Sequence, residues 1–438
     1  MRFNPPAVHG SWLVKEEEKV YASDRGPPEV ATYRVATPLK ERQDELIPNF
    51  WRAETMDKSV DPEPQSADFA AVAARLGKLF AERAADHDEN DRFAEINFGD
   101  LKENGLIDAA VPVELGGGGA DVRSLSTVLR TIAQSCGSTA LTLSMHTHQV
   151  AIPAWRWRHQ DAARPQVAPL LRRVAAGRLI LSSSGGSDWI GGSGKAERVD
   201  GGYRVTARKM FCSGAPAADL LMTGAICEEG GEATFLHFAV PMQAPEVTVL
   251  DTWRTMGMRA TGSQDIMIEG LFVAEESILL KRKAGEWHPA LQLVSSIATP
   301  LIYSVYLGVA EGAREIAIGM ARKKPASPRL QSLAGRLDTA LAATRMAHET
   351  MIAASERNAP SAETVNDVMV GRHLVEENAI RVAELAMELA GGAGFYRKAE
   401  LERRFRDIQA ARYHPLQKEA QTEYTGAMAL GQPVDGIY

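Results

Sequence analysis

From Asp68 onward the apolar positions keep a helical beat. Phe69, Val72, Leu76 and Phe80 recur at spacings of three and four, the stripe of a helix with one buried face. LKENGLIDAAVP predicts a short helix ending before Pro112, and GGGGAD predicts a loop. SLSTVLRTIAQS predicts the next helix, with Ser124 as N-cap, because a serine hydroxyl can accept from the orphan N–H groups of a first turn. TALTLSMHTHQVAIPAWRW is apolar enough to predict a buried helix. VAPLLRRVAAG closes the block, with Gly177 as C-cap.

At Leu179 the period shortens. LILSSS, GKAERVDGGYRVTARKMF, DLLMTGAI, ATFLHFAVP, VTVLDTW and SQDIMIEGLFV are short, β-branched or alternating, and the Asp200–Gly202 stretch is a hairpin turn. They predict an all-β module of about 100 residues. After about Glu286 the helical period returns. Val305, Val309, Ala313, Ile316 and Met320 form one stripe, Leu330, Leu333, Leu337, Ala340, Thr344, Ala347 and Met351 a second, and Val375, Ala379, Val382, Ala386 and Leu389 a third. These long stripes predict an antiparallel four-helix bundle, and core packing accounts for nearly every residue in them. Residues 1–66 are rich in proline and charge and hold no period; they predict a flexible or loosely docked extension. The expected organisation is an extension (1–66), an N-terminal α domain (67–178), a middle β domain (179–285) and a C-terminal helix bundle (286–438). The fold class is α+β.

Composition narrows the chemistry. A chain of 438 residues suits two or three modules with substantial cores. A formal net charge of -7 argues against wholesale nucleic-acid binding. Cys136, Cys212 and Cys227 show no CxxC spacing and read as buried thiols of a reducing compartment, neither disulfides nor metal ligands. MRFNPPAVHG lacks the basic start and apolar run of a signal peptide. The uncharged run from Pro289 to Ala310 has roughly the length to cross a bilayer. It holds Gln292, Ser295, Ser296, Thr299, Pro300 and Ser304, however, and reads as a buried helix with its lead-in. The expected address is the cytoplasm, with no membrane partner.

Four stretches then carry a resemblance: LKENGLIDAAVPVELGGGGAD, DGGYRVTARKMFCSGAPAADLLM, WRTMGMRATGSQDIMIEGLFVAEESIL and ELAGGAGFYRKAELERRFRDIQ. In this order, over about residues 70–430, they resemble successive signatures of the acyl-CoA dehydrogenase superfamily. The resemblance implies an N-terminal helical domain, a middle β-barrel or sandwich and a C-terminal four-helix bundle. It implies a flavin between the β module and the bundle, a small-molecule substrate, and a homotetramer in which a neighbour completes the flavin site.

Residues carry over one at a time. The family's strand over the flavin ends in Thr or Ser; here it is LILSSSGGSD, which makes Ser182 and Ser183 cofactor-binding candidates. The acidic residue and proline that follow in the family are absent, and the loop is one residue short. Ser187 matches the serine of the family's Gly-Ser-Asp, which faces substrate. In KMFCSG, Phe211 and Ser213 match positions beside the isoalloxazine; a flavin needs a flat apolar wall and a few donors at its edge. Gly391 and Gly392 match the turn at the cofactor's distal end, although a helix C-cap alone explains one of these glycines. The arginine that precedes a proline in FAD-binding members is Thr299 here, before Pro300, which leaves FMN open beside FAD.

The family's catalytic glutamate has no counterpart at either usual place. Counted from Arg406-Asp407, the position is Pro415, and the alternative falls at about Ala298; Glu311 and Glu315 lie too far along that helix. His414 stands beside the vacant position. A branch of the superfamily, the flavin monooxygenases of the dibenzothiophene and aromatic-hydroxylase type, carries a histidine there and takes reduced flavin from a separate reductase. RATGS, Arg259–Ser263, is also similar to that branch. Histidine suits such chemistry because it can donate a hydrogen bond or a proton near neutrality. His146 is a further catalytic candidate; at spacing two from His148 it cannot form a helical metal pair. Arg403 and Arg406 share a helix face and read as a subunit contact or a solvated face, with Asp407 paired to a nearby arginine. The expected function is a monooxygenase acting on a small apolar or aromatic substrate. The alternatives are an acyl-CoA dehydrogenase with a relocated base and a non-catalytic flavin-fold scaffold.

Overall fold

In the computed structural model, which describes residues 68–437, five helices come first. The expected extension, residues 1–66, lies outside the described residues. Helix α1 (Phe69–Glu89) begins at Asp68, whose carboxylate accepts from the Ala71 N–H, and it buries Leu76 and Phe80. After α2 (Glu95–Glu103), helix α3 (Val122–Ala133) is capped by Asp121 and not by Ser124: the Asp121 carboxylate accepts from the Ser124 N–H at 2.8 Å. The glycine loop therefore ends one turn earlier than the serine pattern implies. Helix α4 (Gly137–His159) is buried along most of its length. Helix α5 (Arg164–Gly177) keeps Gly177 as its last residue, and Arg178 takes the left-handed cap position at φ 47°.

Eight strands follow: β1 (Leu181–Ser183), β2 (Lys195–Val199), β3 (Gly202–Cys212), β4 (Leu220–Glu229), β5 (Glu232–Pro241), β6 (Val247–Val249), β7 (Gln264–Ala274) and β8 (Leu280–Lys283). They form one sheet of order β6-β7-β3-β2-β4-β5-β8, with β1 parallel to β4. This mixed sheet is the middle β domain that the resemblance implies. Val199 pairs with Gly202, so Asp200-Gly201 is a two-residue turn, and Gly201 supplies the positive φ of 74° that it requires. Tyr203, Val205, Ala207 and Lys209 of β3 all point inward, the period-two face of a half-buried strand.

Three long helices complete the fold: α6 (Pro289–Ala321), α7 (Pro328–Glu356) and α8 (Ala362–Ala390), with Ser327 and Ser361 as N-caps of the last two. The place of a fourth long helix is taken by short α9 (Leu401–Ile408), packed on α6 and α8, and by α10 (Lys418–Ala429). Helix α6 is long and apolar enough to cross a membrane, but 89% of its most apolar window is buried inside the protein, against α3, α4 and α8.

Candidate active site

Strand β3 loses its alternation at its end. Met210 and Phe211 are both exposed, Phe211 by 58%, and the register with β7 slips between Lys209 and Cys212. Phe211 has φ 56°, a left-handed conformation that costs a non-glycine residue energy and is rare away from functional sites. Its ring stands edge-on to Trp253 at 5.9 Å. The result is an apolar wall held open to solvent.

Serines surround its base. Ser182, fully buried, donates from Oγ to the Ser213 carbonyl at 3.0 Å. Ser213 Oγ lies 2.8 Å from Ser263 Oγ, and Ser263 lies 2.7 Å from Thr261 Oγ1. Ser182 and Ser213 thus tie the strand ends together. Ser183, half-buried at the end of β1, has no side-chain partner among the described residues. Beyond β1 the chain turns through Gly185 and Gly186. The Gly185 N–H donates to the Met210 carbonyl at 2.9 Å, and a Cβ at Gly185 would stand 2.9 Å from Phe211 Cβ. The next glycine faces Pro415. Ser187 falls in this turn, and its side chain lies outside the described residues.

Asp188 ends the turn on a buried anchor. It accepts from Lys209 Nζ at 2.8 Å, from Ser193 at 2.5 Å and from Thr223 at 3.2 Å. Lys209 is fully buried, and desolvation lowers its pKa, opposed by the Asp188 charge. Arg282 donates to the carbonyls of Asp188, Trp189 and Ile190 and fixes the segment that follows.

His414 approaches from the C-terminal helices. Its Nε2 lies 2.5 Å from the Tyr306 hydroxyl of α6. Arg372 of α8, fully buried and ion-paired with Glu376, donates to the His414 carbonyl at 2.8 Å and to the Ala411 carbonyl at 3.3 Å. Tyr303 donates to Ala411 O at 2.7 Å, under the Arg372 guanidinium at 5.3 Å. Burial first, then the Arg372 charge, pushes the His414 pKa down to about 3, and burial raises Tyr306 well above the usual phenol range. The histidine is therefore neutral at physiological pH. It is half-buried, and its Nδ1 has no protein partner among the described residues and touches solvent.

The other candidates have different surroundings. His146 Nε2 donates to Ile107 O at 2.7 Å, and its Nδ1 accepts from the Leu181 N–H at 3.0 Å. Both ring nitrogens bind backbone, so His146 joins α4 to β1 and has none left for substrate. His148 is likewise taken up, by Ser144 O and Gln149. Gly391, at φ 67°, ends α8, where Lys324 Nζ donates to the carbonyls of Leu389 and Ala390. A Cβ added at Gly392 would meet nothing within 4 Å, and the residue is exposed, as are Phe395 and Tyr396.

The buried carboxylates are committed. Glu311 is clamped by Arg130, Gln134 and Arg345; burial pushes its pKa up, and the two arginines outweigh it and hold it low. Asp407 accepts from the Met258 N–H at 2.5 Å and has no arginine hydrogen bond among the described residues, and burial raises its pKa to about 6. Arg403 and Arg404 are buried against Glu400, and Arg406 bridges Asp88 and Glu402. Their face is internal, correcting the solvated reading. A cleft of about 280 Å³ lined by Asp121, Trp155, Arg158, His159 and Glu356 shares no residue with the Phe211 wall.

Tyr306, Arg372 and Lys209 are the functional neighbours that the sequence reading leaves out. Two carried a signal. Arg372 lies three residues before Val375, on a buried stripe, and Lys209 continues the inward alternation of β3. A charge at a core position marks a place where a partner must exist.

An exposed aromatic wall with hydroxyls and backbone at its edge fits a flavin ring. Three family models match in order: the acyl-CoA dehydrogenase N-terminal domain over residues 64–172, middle domain over 182–271 and C-terminal domain over 301–419. The amino sugar nitrososynthase DnmZ of Streptomyces peucetius is 30% identical over 394 residues, covering 84% of this chain and 95% of that protein. The dibenzothiophene monooxygenase of Mycolicibacterium goodii is 26% identical over 401 residues, covering 82% of this chain and 93% of that protein. The X-ray structure of KijD3 in complex with FMN and an amino-keto dTDP-sugar superposes with a TM-score of 0.76 at 26% identity, covering 85% of this chain and 96% of that one. The chain belongs to the acyl-CoA dehydrogenase superfamily and is one of its flavin-dependent oxidoreductases.

Proposed function

We propose that this protein is a flavin-dependent monooxygenase that uses reduced FMN and O2 to oxygenate a small apolar or aromatic substrate. The carrying observation is the pair at the family's glutamate position: Pro415, with no acid or base, beside a neutral His414 whose Nδ1 is open. α-Proton abstraction needs a free carboxylate, and Glu311, Asp188, Asp407 and Glu376 are each bound to cations or backbone.

Bound reduced flavin would supply the electrons that activate O2. The protein's part is placement. Phe211 and Trp253 would give the ring an apolar face, Ser183 and Ser213 would serve its polar edge, and Ser187 would face the substrate, as the resemblance implies. His414 donates a hydrogen bond to oxygen as it is transferred, and no charge develops on the imidazole. FMN is favoured by Thr299 in place of the FAD-contacting arginine and by FMN in the KijD3 complex. The names of the relatives, a nitrososynthase and a dibenzothiophene monooxygenase, support oxygen transfer to an organic molecule. The same reading includes a separate flavin reductase, a cytoplasmic address and a homotetramer. Phe395, Tyr396 and Tyr413, exposed by 80%, 65% and 68%, support a covered subunit face, with Gly391 and Gly392 serving the neighbour's cofactor.

The test is anaerobic mixing of the flavin-loaded protein with a panel of acyl-CoA thioesters. The flavin is expected to stay oxidised with all of them. Bleaching by any thioester establishes the dehydrogenase reading instead, and failure to bind FMN or FAD at micromolar concentrations establishes the scaffold.

A further inference from the structure

We infer that Tyr306 is a positioning residue that fixes the His414 imidazole as its Nδ1–H tautomer, so that the ring presents a donor, and not a lone pair, to the open side of the site. The inference deepens the monooxygenase reading and rests on it for its catalytic meaning; the tautomer itself stands on geometry.

The donor direction follows from what each group has available. The Tyr306 hydroxyl is fully buried in α6, and its one hydrogen-bond partner among the described residues is His414 Nε2, at 2.5 Å. A protonated phenol in that place must donate, because the reverse arrangement leaves its proton buried without an acceptor. Nε2 therefore accepts, and the ring proton sits on Nδ1. Burial keeps both partners neutral: it lowers the imidazole's pKa and raises the phenol's. Nδ1 is also the ring nitrogen without a protein partner among the described residues. The backbone is pinned as well. Arg372 takes the carbonyls of Ala411, Arg412 and His414, and Tyr303 takes Ala411 again. With the carbonyl and Nε2 both held, the ring cannot turn over without breaking a buried hydrogen bond.

A chain so arranged cannot use His414 as a base toward substrate: the lone pair is occupied and the exposed nitrogen carries hydrogen. It can offer a hydrogen bond without titrating.

The tautomer is readable in the flavin-free protein. Magic-angle-spinning 15N spectra of histidine-labelled protein, with His414→Gln as the difference, are expected to show His414 protonated at Nδ1 and bare at Nε2. In Tyr306→Phe, which removes only the hydroxyl, the signal is expected to shift toward the Nε2–H form that free imidazole favours. An Nε2–H signal for His414 in the wild type overturns the inference and does not depend on whether Tyr306→Phe folds. An unchanged tautomer in a folded Tyr306→Phe protein overturns Tyr306 as its cause. The monooxygenase reading fails separately: if His414→Gln leaves product per O2 consumed unchanged, His414 has no catalytic part, whatever its tautomer.

Discussion

Gly186 and Pro415 are so close that no side chain fits between them: a Cβ on Gly186 would stand 2.6 Å from Pro415 Cγ and 3.1 Å from Cδ. Gly186 belongs to the turn that leaves β1, and Pro415 follows His414. The sheet and the C-terminal helices therefore meet at the candidate catalytic residue. Gly185, one residue earlier, is equally tight against Phe211, so one glycine pair links the flavin wall to the histidine.

Gly186→Ala must push Pro415 away and take His414 with it. Overpacking of this kind costs about 1–3 kcal/mol. The denaturation midpoint should fall accordingly, and product formation should fall further than stability alone explains. Gly319→Ala in α6, where an added Cβ meets nothing within 4 Å, is the control and should leave activity intact. A Gly186→Ala enzyme with normal product yield would show the contact to be soft.

The buried ion pair beneath the same turn makes a second prediction. Lys209→Met leaves the Asp188 carboxylate in a buried place with only the hydroxyls of Ser193 and Thr223. Breaking a buried pair from one side costs roughly 3–5 kcal/mol, more than the pair itself contributes, because a lone charge remains. The double variant Lys209→Met/Asp188→Asn should therefore be more stable than Lys209→Met alone. Urea unfolding of the four proteins in a cycle measures this; strictly additive losses would contradict it.

What the sequence makes legible, and what it hides, follows the range of the interactions. Helical and strand stretches show in the period because burial acts on neighbouring turns and alternating faces. Strand β8, Leu-Lys-Arg-Lys, does not: its one inward charge, Arg282, is neutral to the fold only because three distant carbonyls receive it. The Ser124 cap fails for a shorter reason, since Asp121 outcompetes it from three residues upstream. His414 is visible through its position beside a missing glutamate. Tyr306 is not, because a tyrosine on an apolar stripe looks like core, and its hydroxyl finds its partner 108 residues away. The arginines near the C-terminus look solvated in sequence, yet Glu400, Glu402 and Asp88 draw them inside.

Acid should unfold the protein early. Burial lowers the pKa of His146, His148 and His348 to about 4 and of His237 and His414 to about 3. In the unfolded chain each returns to about 6.5. Their depressed values mean that the stability they carry is present above about pH 6.5 and is lost as pH falls toward the folded values. At about pH 5 the unfolded state holds between four and five more protons, a slope of roughly 6 kcal/mol per pH unit. Asp407 works the other way. Its raised pKa gives stability that is full below the unfolded carboxylate value and lost as pH rises through about 6. One proton cannot offset five, so the urea midpoint should drop steeply between pH 7 and pH 5; a flat profile would show these histidines to be far less buried.

Phe211 separates a functional wall from a structural core. It is 58% exposed and sits at φ 56°, so its ring contributes little burial and its backbone costs about 1–2 kcal/mol. Phe211→Gly removes that strain and adds about as much unfolded-state entropy as it relieves. Stability of the flavin-free protein should change by less than about 1 kcal/mol. Flavin affinity should fall at least about tenfold, since the apolar face is gone. Phe238→Ala, from a ring that is 1% exposed in the sheet's core, should do the reverse, costing about 3–5 kcal/mol of stability. Thermal unfolding without flavin, paired with FMN titration by fluorescence quenching, reads both quantities. If Phe211→Gly destabilised the flavin-free protein by several kcal/mol and bound FMN normally, the ring would be a core residue and the wall would have to lie elsewhere.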